Sequence, residues 1–182
     1  QHGLPSLRAS TGGLSGLLQM VTEQFLSLAA AAAIWKRLEL RLGLCDAEHV
    51  LTCPQEDLVT LGLSRAKAKS FHGIAHAVAS GQFSFDALDA MDDAQAHKAL
   101  VELPGIGPWT ADIYLLSVLL RRDAWPWGDV ALQAAAQHLF SLAERPQKTE
   151  MMALGEGFKP FRAVAARLLW AHYRGLKQMS QA

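Results

Sequence analysis

Two short stretches carry side chains whose types and order could do chemistry: L-P-G-I-G-P-W-T-A-D at 103–112 and W-P-W-G-D-V at 125–130. In the first, Gly105 and Gly107 flank a single apolar residue and can take backbone angles closed to other residues. Pro104 stiffens the entry, and Pro108 sets the first turn of a following helix. The pattern predicts a rigid hairpin between two helices. The start of the second helix leaves amides without internal partners, backed by the positive end of the helix dipole, so an anion suits the spot. A nucleic-acid phosphate fits there without any arginine. An ordinary tight turn would use the same glycines, and a G-x-G by itself decides neither reading. In the second stretch Asp129 stands at a helix start, where a capping carboxylate accepts amide hydrogen bonds and the dipole favours its negative charge.

The composition narrows what such a site serves. At 182 residues, 51% hydrophobic and 19% charged, the chain suits one compact unit or two small lobes sharing a core. Lys plus Arg is 17 and Asp plus Glu is 17, so a broadly basic surface is excluded and any contact with nucleic acid must be local. The longest apolar run, Leu28–Trp35, is too short to cross a bilayer, and no basic-then-apolar signal segment opens the chain. A soluble, cytoplasmic protein without a membrane partner is expected. Cys45 and Cys53 make neither a disulfide framework nor a metal cluster of about four ligands, and read as half-buried thiols. The seven histidines lack the H-x-x-x-H or His/Cys spacing of a zinc site.

The elements that must position these residues all have helical period; strand alternation never appears. Leu14, Leu17, Leu18, Val21 and Phe25 form a core-facing stripe. Ser27 caps a helix to about Leu42 that Gly43 stops, and Ser64 caps one through Ala79 that Gly81 ends. Pro54 opens a short helix at its first position, closed by Gly62. Asp92 caps a helix to about Val101, and Pro108 opens one holding Trp109, Ile113, Leu116 and Leu120. Asp129 caps a helix to about Phe140, and Thr149 and Pro160 begin the last two. The expectation is an all-α array of about eight to ten helices joined by short connections.

With the elements placed, the residues reach a resemblance. The hairpin, followed by W-P-W-G-D-V, resembles the helix–hairpin–helix DNA glycosylase superfamily. Q-F-L-S at 24–27 and G-F-K-P-F-R-A-V-A-A-R-L-L-W at 157–170 are similar to two further elements of its 3-methyladenine DNA glycosylase II branch. The likeness spans about residues 14–173. It implies two helical lobes, 26–115 with the hairpin at 103–109 and 1–25 plus 116–182 with the catalytic aspartate, bordering a DNA-binding cleft.

The resemblance implies that Asp129 is the catalytic carboxylate. Breaking an N-glycosidic bond puts oxocarbenium-like charge on the sugar, which a fixed carboxylate stabilises, or it orients the attacking water. Where the bacterial type enzyme often has a second acid, this chain has Gly128. Trp109 occupies the position of the Schiff-base lysine of strand-cutting relatives, which implies a monofunctional enzyme that leaves an abasic site. Trp109 and Trp170 would line a base pocket whose aromatic faces attract a cationic alkylated purine, with Ile113 making it more apolar. Singly, each tryptophan reads equally as core. Gly105, Gly107, Pro108, Trp109 and Thr110 would touch the DNA backbone. Phe25 would wedge into the gap left by the flipped nucleotide, or else it completes the helix stripe.

The same likeness implies a monovalent cation, sodium or potassium, on the main-chain carbonyls of Val101, Leu103 and Ile106, with no zinc and no iron–sulfur cluster. Arg65, Lys67, Lys69, Lys159 and Arg162 either touch phosphates or form a solvated face. The expected partner is double-stranded DNA containing damaged bases, met by a monomer that releases alkylated purines and so initiates base excision repair. A same-fold glycosylase for a deaminated or oxidised base, and a non-catalytic hairpin module that only binds DNA, are the alternatives. Asp129 and a pocket discriminate enzyme from binder.

Overall fold

A computed structural model describes residues 11–43 and 46–179. Cys45 and the opening residues searched for a signal segment lie outside them. Among the described residues there are eleven helices and no strand: α1 (Gly13–Glu23), α2 (Leu28–Leu42), α3 (Ala47–Thr52), α4 (Gln55–Thr60), α5 (Arg65–Ala79), α6 (Phe85–Ala90), α7 (Asp93–Val101), α8 (Pro108–Ser117), α9 (Val130–Leu139), α10 (Lys148–Glu156) and α11 (Arg162–Met179). The count exceeds the expected eight to ten because α3 and α6 span only six residues each, too few to display a period. No helix among them is long and apolar enough to cross a membrane.

The caps foreseen from sequence close with their expected bonds. Ser27, Ser64, Asp92 and Asp129 each accept an amide hydrogen bond from the third residue of the helix that follows. Pro54 sits one place earlier than expected, as the N-cap of α4. Helix α8 stops at Ser117, short of Leu120, whose φ of 52° is incompatible with a right-handed helix.

The chain divides into two compact units, residues 11–111 and 112–179, with the boundary inside α8. Helix α1, expected to belong with the C-terminal helices, instead packs on α2, α5 and α6. Its buried Leu17, Leu18 and Val21 face that core, which apolar burial stabilises at roughly 25 cal/mol per Å². The core of this unit is built on α5, against which α1, α3 and α4 all lie and whose Phe71, Ile74 and Ala75 are fully buried. In the second unit α9 packs on α11, burying Leu132, Ala135, Ala136 and Ala166.

Helix α5 also supports the hairpin. Gly73 is so close to the Pro104 ring that a Cβ there would overlap the proline Cγ, and a Cβ on Gly105 would overlap the Ser70 hydroxyl. Gly105 has φ 81°, so it is needed for backbone as well as for space, whereas Gly107 has no left-handed φ. The expectation that both glycines supply unusual angles holds for Gly105 alone. In an open helix Gly→Ala stabilises by roughly 0.5–1 kcal/mol, but overpacking against a rigid ring costs about 1–3 kcal/mol. Gly73→Ala is therefore expected to destabilise the protein, seen as a lower urea midpoint with an unchanged m-value; a raised midpoint would refute the packing argument.

Candidate active site and candidate nucleic-acid interface

One oxygen of the Asp129 carboxylate is held by two neutral donors. Its Oδ1 accepts the Leu132 amide at 2.8 Å and the indole Nε1–H of Trp170, on α11, at 2.9 Å. The first bond follows from Asp129 being the N-cap of α9, and the second from the packing of α9 on α11. Trp170 thus belongs with the carboxylate, half-buried, rather than in the core. Two other tryptophans, Trp35 and Trp125, are core residues, and Trp125 donates its Nε1–H to the Met151 carbonyl at 2.8 Å. A Cβ added at Gly128 would meet nothing within 4 Å, so the glycine before Asp129 is not required by space.

A second carboxylate chemistry lies in the same unit. Arg162 forms a bidentate pair with Asp123, both contacts at 2.9 Å, and its amide also donates to Asp123. Burial works against the Asp123 carboxylate, but these bonds overcome it and hold the group below its ordinary range. Arg162 was a candidate phosphate contact; the structure uses its guanidinium here instead. Asp112, the only charged residue of the hairpin motif, is buried, and burial pushes its carboxyl up to about 7 despite partial relief from the positive charge of Arg162.

In the unit of residues 11–111, α1 ends at Glu23 and the chain turns sharply into α2. Gln24 has φ −52° and ψ 128°, Phe25 has φ 58°, and the Leu26 amide donates to the Glu23 carbonyl at 3.2 Å. This is the signature of a type II turn, whose third position normally requires glycine or asparagine. Phe25 takes that position with its side chain entirely exposed, 101% of the reference value. It does not complete the stripe begun at Leu14. A bulky residue held left-handed costs on the order of 1–3 kcal/mol, and such strain at an exposed ring points to function.

Residues that motif reasoning passed over tie this turn to the hairpin. The Gln24 side-chain amide donates to the Gly105 carbonyl at 3.2 Å and to the Thr110 hydroxyl at 3.0 Å. Thr110 is 3% exposed, so its side chain holds the hairpin from within. Lys67 also departs from expectation: its ammonium donates to the carbonyls of Thr22 and Gln24 at 2.8 and 2.7 Å. Burial lowers its pKa. Arg65 and Lys69 are exposed on the same helix.

The hairpin itself is closed by the Ile106 amide donating to Leu103, with both side chains buried, and Gly107 accepts the Ala111 amide at the start of α8. Trp109, in the first turn of α8, is 39% exposed, and Ile113, one turn on, is half-buried. The hairpin is thus held by apolar residues beneath and presents a helix N-terminus, the arrangement that binds phosphate.

Residues 18–160 match the HhH-GPD superfamily of base excision DNA repair proteins. The chain belongs to this superfamily. It is 28% identical over 160 residues to the alkylbase DNA glycosidase-like protein mag2 of Schizosaccharomyces pombe, covering 85% of this chain and 75% of the relative. The chain spans less than half the length of two Bacillus subtilis relatives, 43% and 41%. Among solved structures it is similar to a DNA-3-methyladenine glycosidase from Bacillus halodurans, with TM-score 0.84 and 27% identity over 95% of this chain and 81% of that one. It is also similar to the Schizosaccharomyces pombe 3-methyladenine DNA glycosylase in complex with abasic DNA, with TM-score 0.83 and 25% identity over 95% of this chain and 85% of that one.

The Asp112 shift gives this HhH-GPD protein a pH dependence. A carboxyl whose pKa rises on folding binds more protons folded than unfolded between the ordinary value of 3.8 and about 7. Unfolding free energy therefore falls as pH rises through that window and stays reduced above it. Asp112→Asn, neutral throughout, is expected to flatten this part of the profile and to stabilise at pH 8 by a few kcal/mol, at about 1.4 kcal/mol per pKa unit. Urea midpoints at pH 4 and pH 8 check it, and an unaltered pH dependence in the variant would count against it.

Proposed function

We propose that this protein hydrolyses the N-glycosidic bond of alkylated purines of the 3-methyladenine type in double-stranded DNA, a monofunctional glycosylase acting as a monomer at the first step of base excision repair inside the cell. The observation that carries the reading is the Asp129 carboxylate, fixed by Leu132 and Trp170 within a chain of this superfamily. A module that only binds DNA has no use for an oriented carboxylate. The names of the relatives, 3-methyladenine and alkylbase glycosylases, support the same substrate class.

Each residue then has a chemical task. Hydrolysis cleaves the bond between the sugar C1′ and the base nitrogen; the electron pair leaves with the base, and water adds to C1′ and loses a proton. As the bond lengthens, positive charge grows on the sugar, and Asp129 stabilises it electrostatically. An alkylated purine is already cationic, so its departure needs no strong acid, and a single carboxylate beside Gly128 suffices. The indole of Trp170 offers an electron-rich face to such a base, with Ile113 of the same unit adding an apolar surface. With Trp109 in the hairpin there is no amine to form a Schiff base, so the abasic strand stays intact.

Grip falls to the hairpin. Main-chain groups around Gly105, Gly107, Pro108, Trp109 and the Thr110 amide hold a phosphate, and exposed Phe25 enters the duplex gap. The carbonyls of Val101, Leu103 and Ile106 would hold a monovalent sodium or potassium ion. The donor set fits: neutral oxygens at the end of α7 and in the hairpin, which suit a hard cation of low charge. Bound there, the ion would supply positive charge beside the phosphate.

The test is to incubate the protein with alkylated duplex DNA and identify released bases by mass. Wild type is expected to release 3-methyladenine, and Asp129→Asn to lose on the order of a hundredfold or more in rate. Trp170→Phe, which keeps a ring but loses the donor to Asp129, is expected to fall between them. An undiminished rate in Asp129→Asn would falsify the mechanism, and salt-sensitive binding with no release from any lesion would leave only a DNA-binding module.

A further inference from the structure

The Phe25 turn is strained, yet it lies in a stretch, Gln24-Phe25-Leu26-Ser27, with no glycine to ease it. A left-handed phenylalanine with an exposed ring relaxes unless its surroundings over-determine it. Those surroundings are two side chains. Lys67 directs its ammonium at the Thr22 and Gln24 carbonyls, among those that the end of α1 leaves without helical partners. Gln24 directs its side chain at Gly105 and Thr110. Residue 24, immediately before Phe25, is therefore held through its carbonyl on one side and its amide group on the other.

Long flexible lysines on a helix next to a DNA-contacting surface ordinarily reach for phosphates. Lys67 points the other way, into the turn, at 2.7–2.8 Å. Its three donors can satisfy two carbonyls at once, which neither methionine nor leucine at this place would do. Its position is set by Ser64, whose hydroxyl caps α5 by accepting the Lys67 amide at 3.3 Å.

We infer that Lys67 and Gln24 form a clamp that fixes the Phe25 turn in its outward conformation before DNA arrives, which makes Lys67 a positioning residue for insertion of the ring into the duplex. The inference rests on the wedge role proposed for Phe25. A turn ordered in advance does not lose its conformational freedom at the moment of insertion, so the lysine acts on lesion engagement and leaves non-specific attraction to DNA unchanged.

The experiment uses the full chain and a duplex carrying a tetrahydrofuran abasic analogue opposite 2-aminopurine, whose fluorescence rises when a side chain enters the gap. Wild type is expected to give the rise and Phe25→Ala to lose it. Lys67→Met should reduce the rise by about fivefold or more, the equilibrium effect of releasing a strain of this class. Lys67→Arg should restore most of it, and adding Lys67→Met to Phe25→Ala should cause no further loss. The salt slope for undamaged duplex should be the same in Lys67→Met as in wild type; a slope reduced by about one would assign the lysine to a phosphate and overturn the clamp. A wild-type rise from Lys67→Met, with Phe25→Ala still defective, overturns the clamp alone. A wild-type rise from Phe25→Ala overturns the wedge reading and the clamp with it. Circular dichroism accompanies each measurement, and Lys67→Gln replaces a Lys67→Met that does not fold. If neither folds, the lysine supports the whole unit rather than the turn, and the clamp is rejected.

Discussion

The closeness of α5 to the hairpin is the constraint on which one half of the molecule depends. Gly73 admits the Pro104 ring and Ser70 lies against Gly105, so the hairpin rests directly on a helix against which α1, α3 and α4 also pack. The loop needs no charged network to be rigid, because proline and buried Leu103 and Ile106 already fix it. The first turn of α5 also supplies Lys67, which holds the end of α1. One helix thus sets both the hairpin backbone and the turn that carries Phe25.

In residues 112–179 the organising problem is different: how to keep a carboxylate in place without neutralising it. The N-cap position of α9 does this for Asp129 with an amide, and the indole of Trp170 adds a second neutral donor to the same oxygen. Neither of those two donors carries a charge. Asp123 shows the contrast, being locked to Arg162 and spent on structure. Asp129 thus accepts from an amide and an indole where Asp123 accepts from a guanidinium. Grip by main-chain groups, as proposed for the hairpin, needs no basic surface, in keeping with a chain of zero net charge.

Much of this was legible in the sequence where the signal is local. Ser27, Ser64, Asp92 and Asp129 announce helix starts because a short polar side chain before an apolar run has few other uses. Gly105 and Pro104 mark the hairpin through the backbone angles that each permits. Phe25 was ambiguous, since its spacing from Leu14 extends a helical stripe; the turn that removes it is made by a phenylalanine where turn rules expect glycine. Lys67 and Arg162 turn inward, against expectation, because a side chain's direction is decided by partners far along the chain, at Thr22, Gln24 and Asp123. The Trp170 bond to Asp129 joins residues on α11 and α9, and no spacing rule encodes it. The α1 helix was placed in the wrong unit because its apolar stripe specifies burial but not which neighbour supplies it.

The turn at Phe25 sets stability against use. Glycine would adopt φ 58° without strain, and hiding the ring would remove an entirely exposed aromatic from water, so either change would favour the free protein. The fold instead keeps a costly conformation and an unburied ring at the same residue. An effort to stabilise this protein by correcting its local faults would therefore begin at Phe25, and under the wedge role proposed for its ring the gain in melting temperature would come out of the ability to open a duplex.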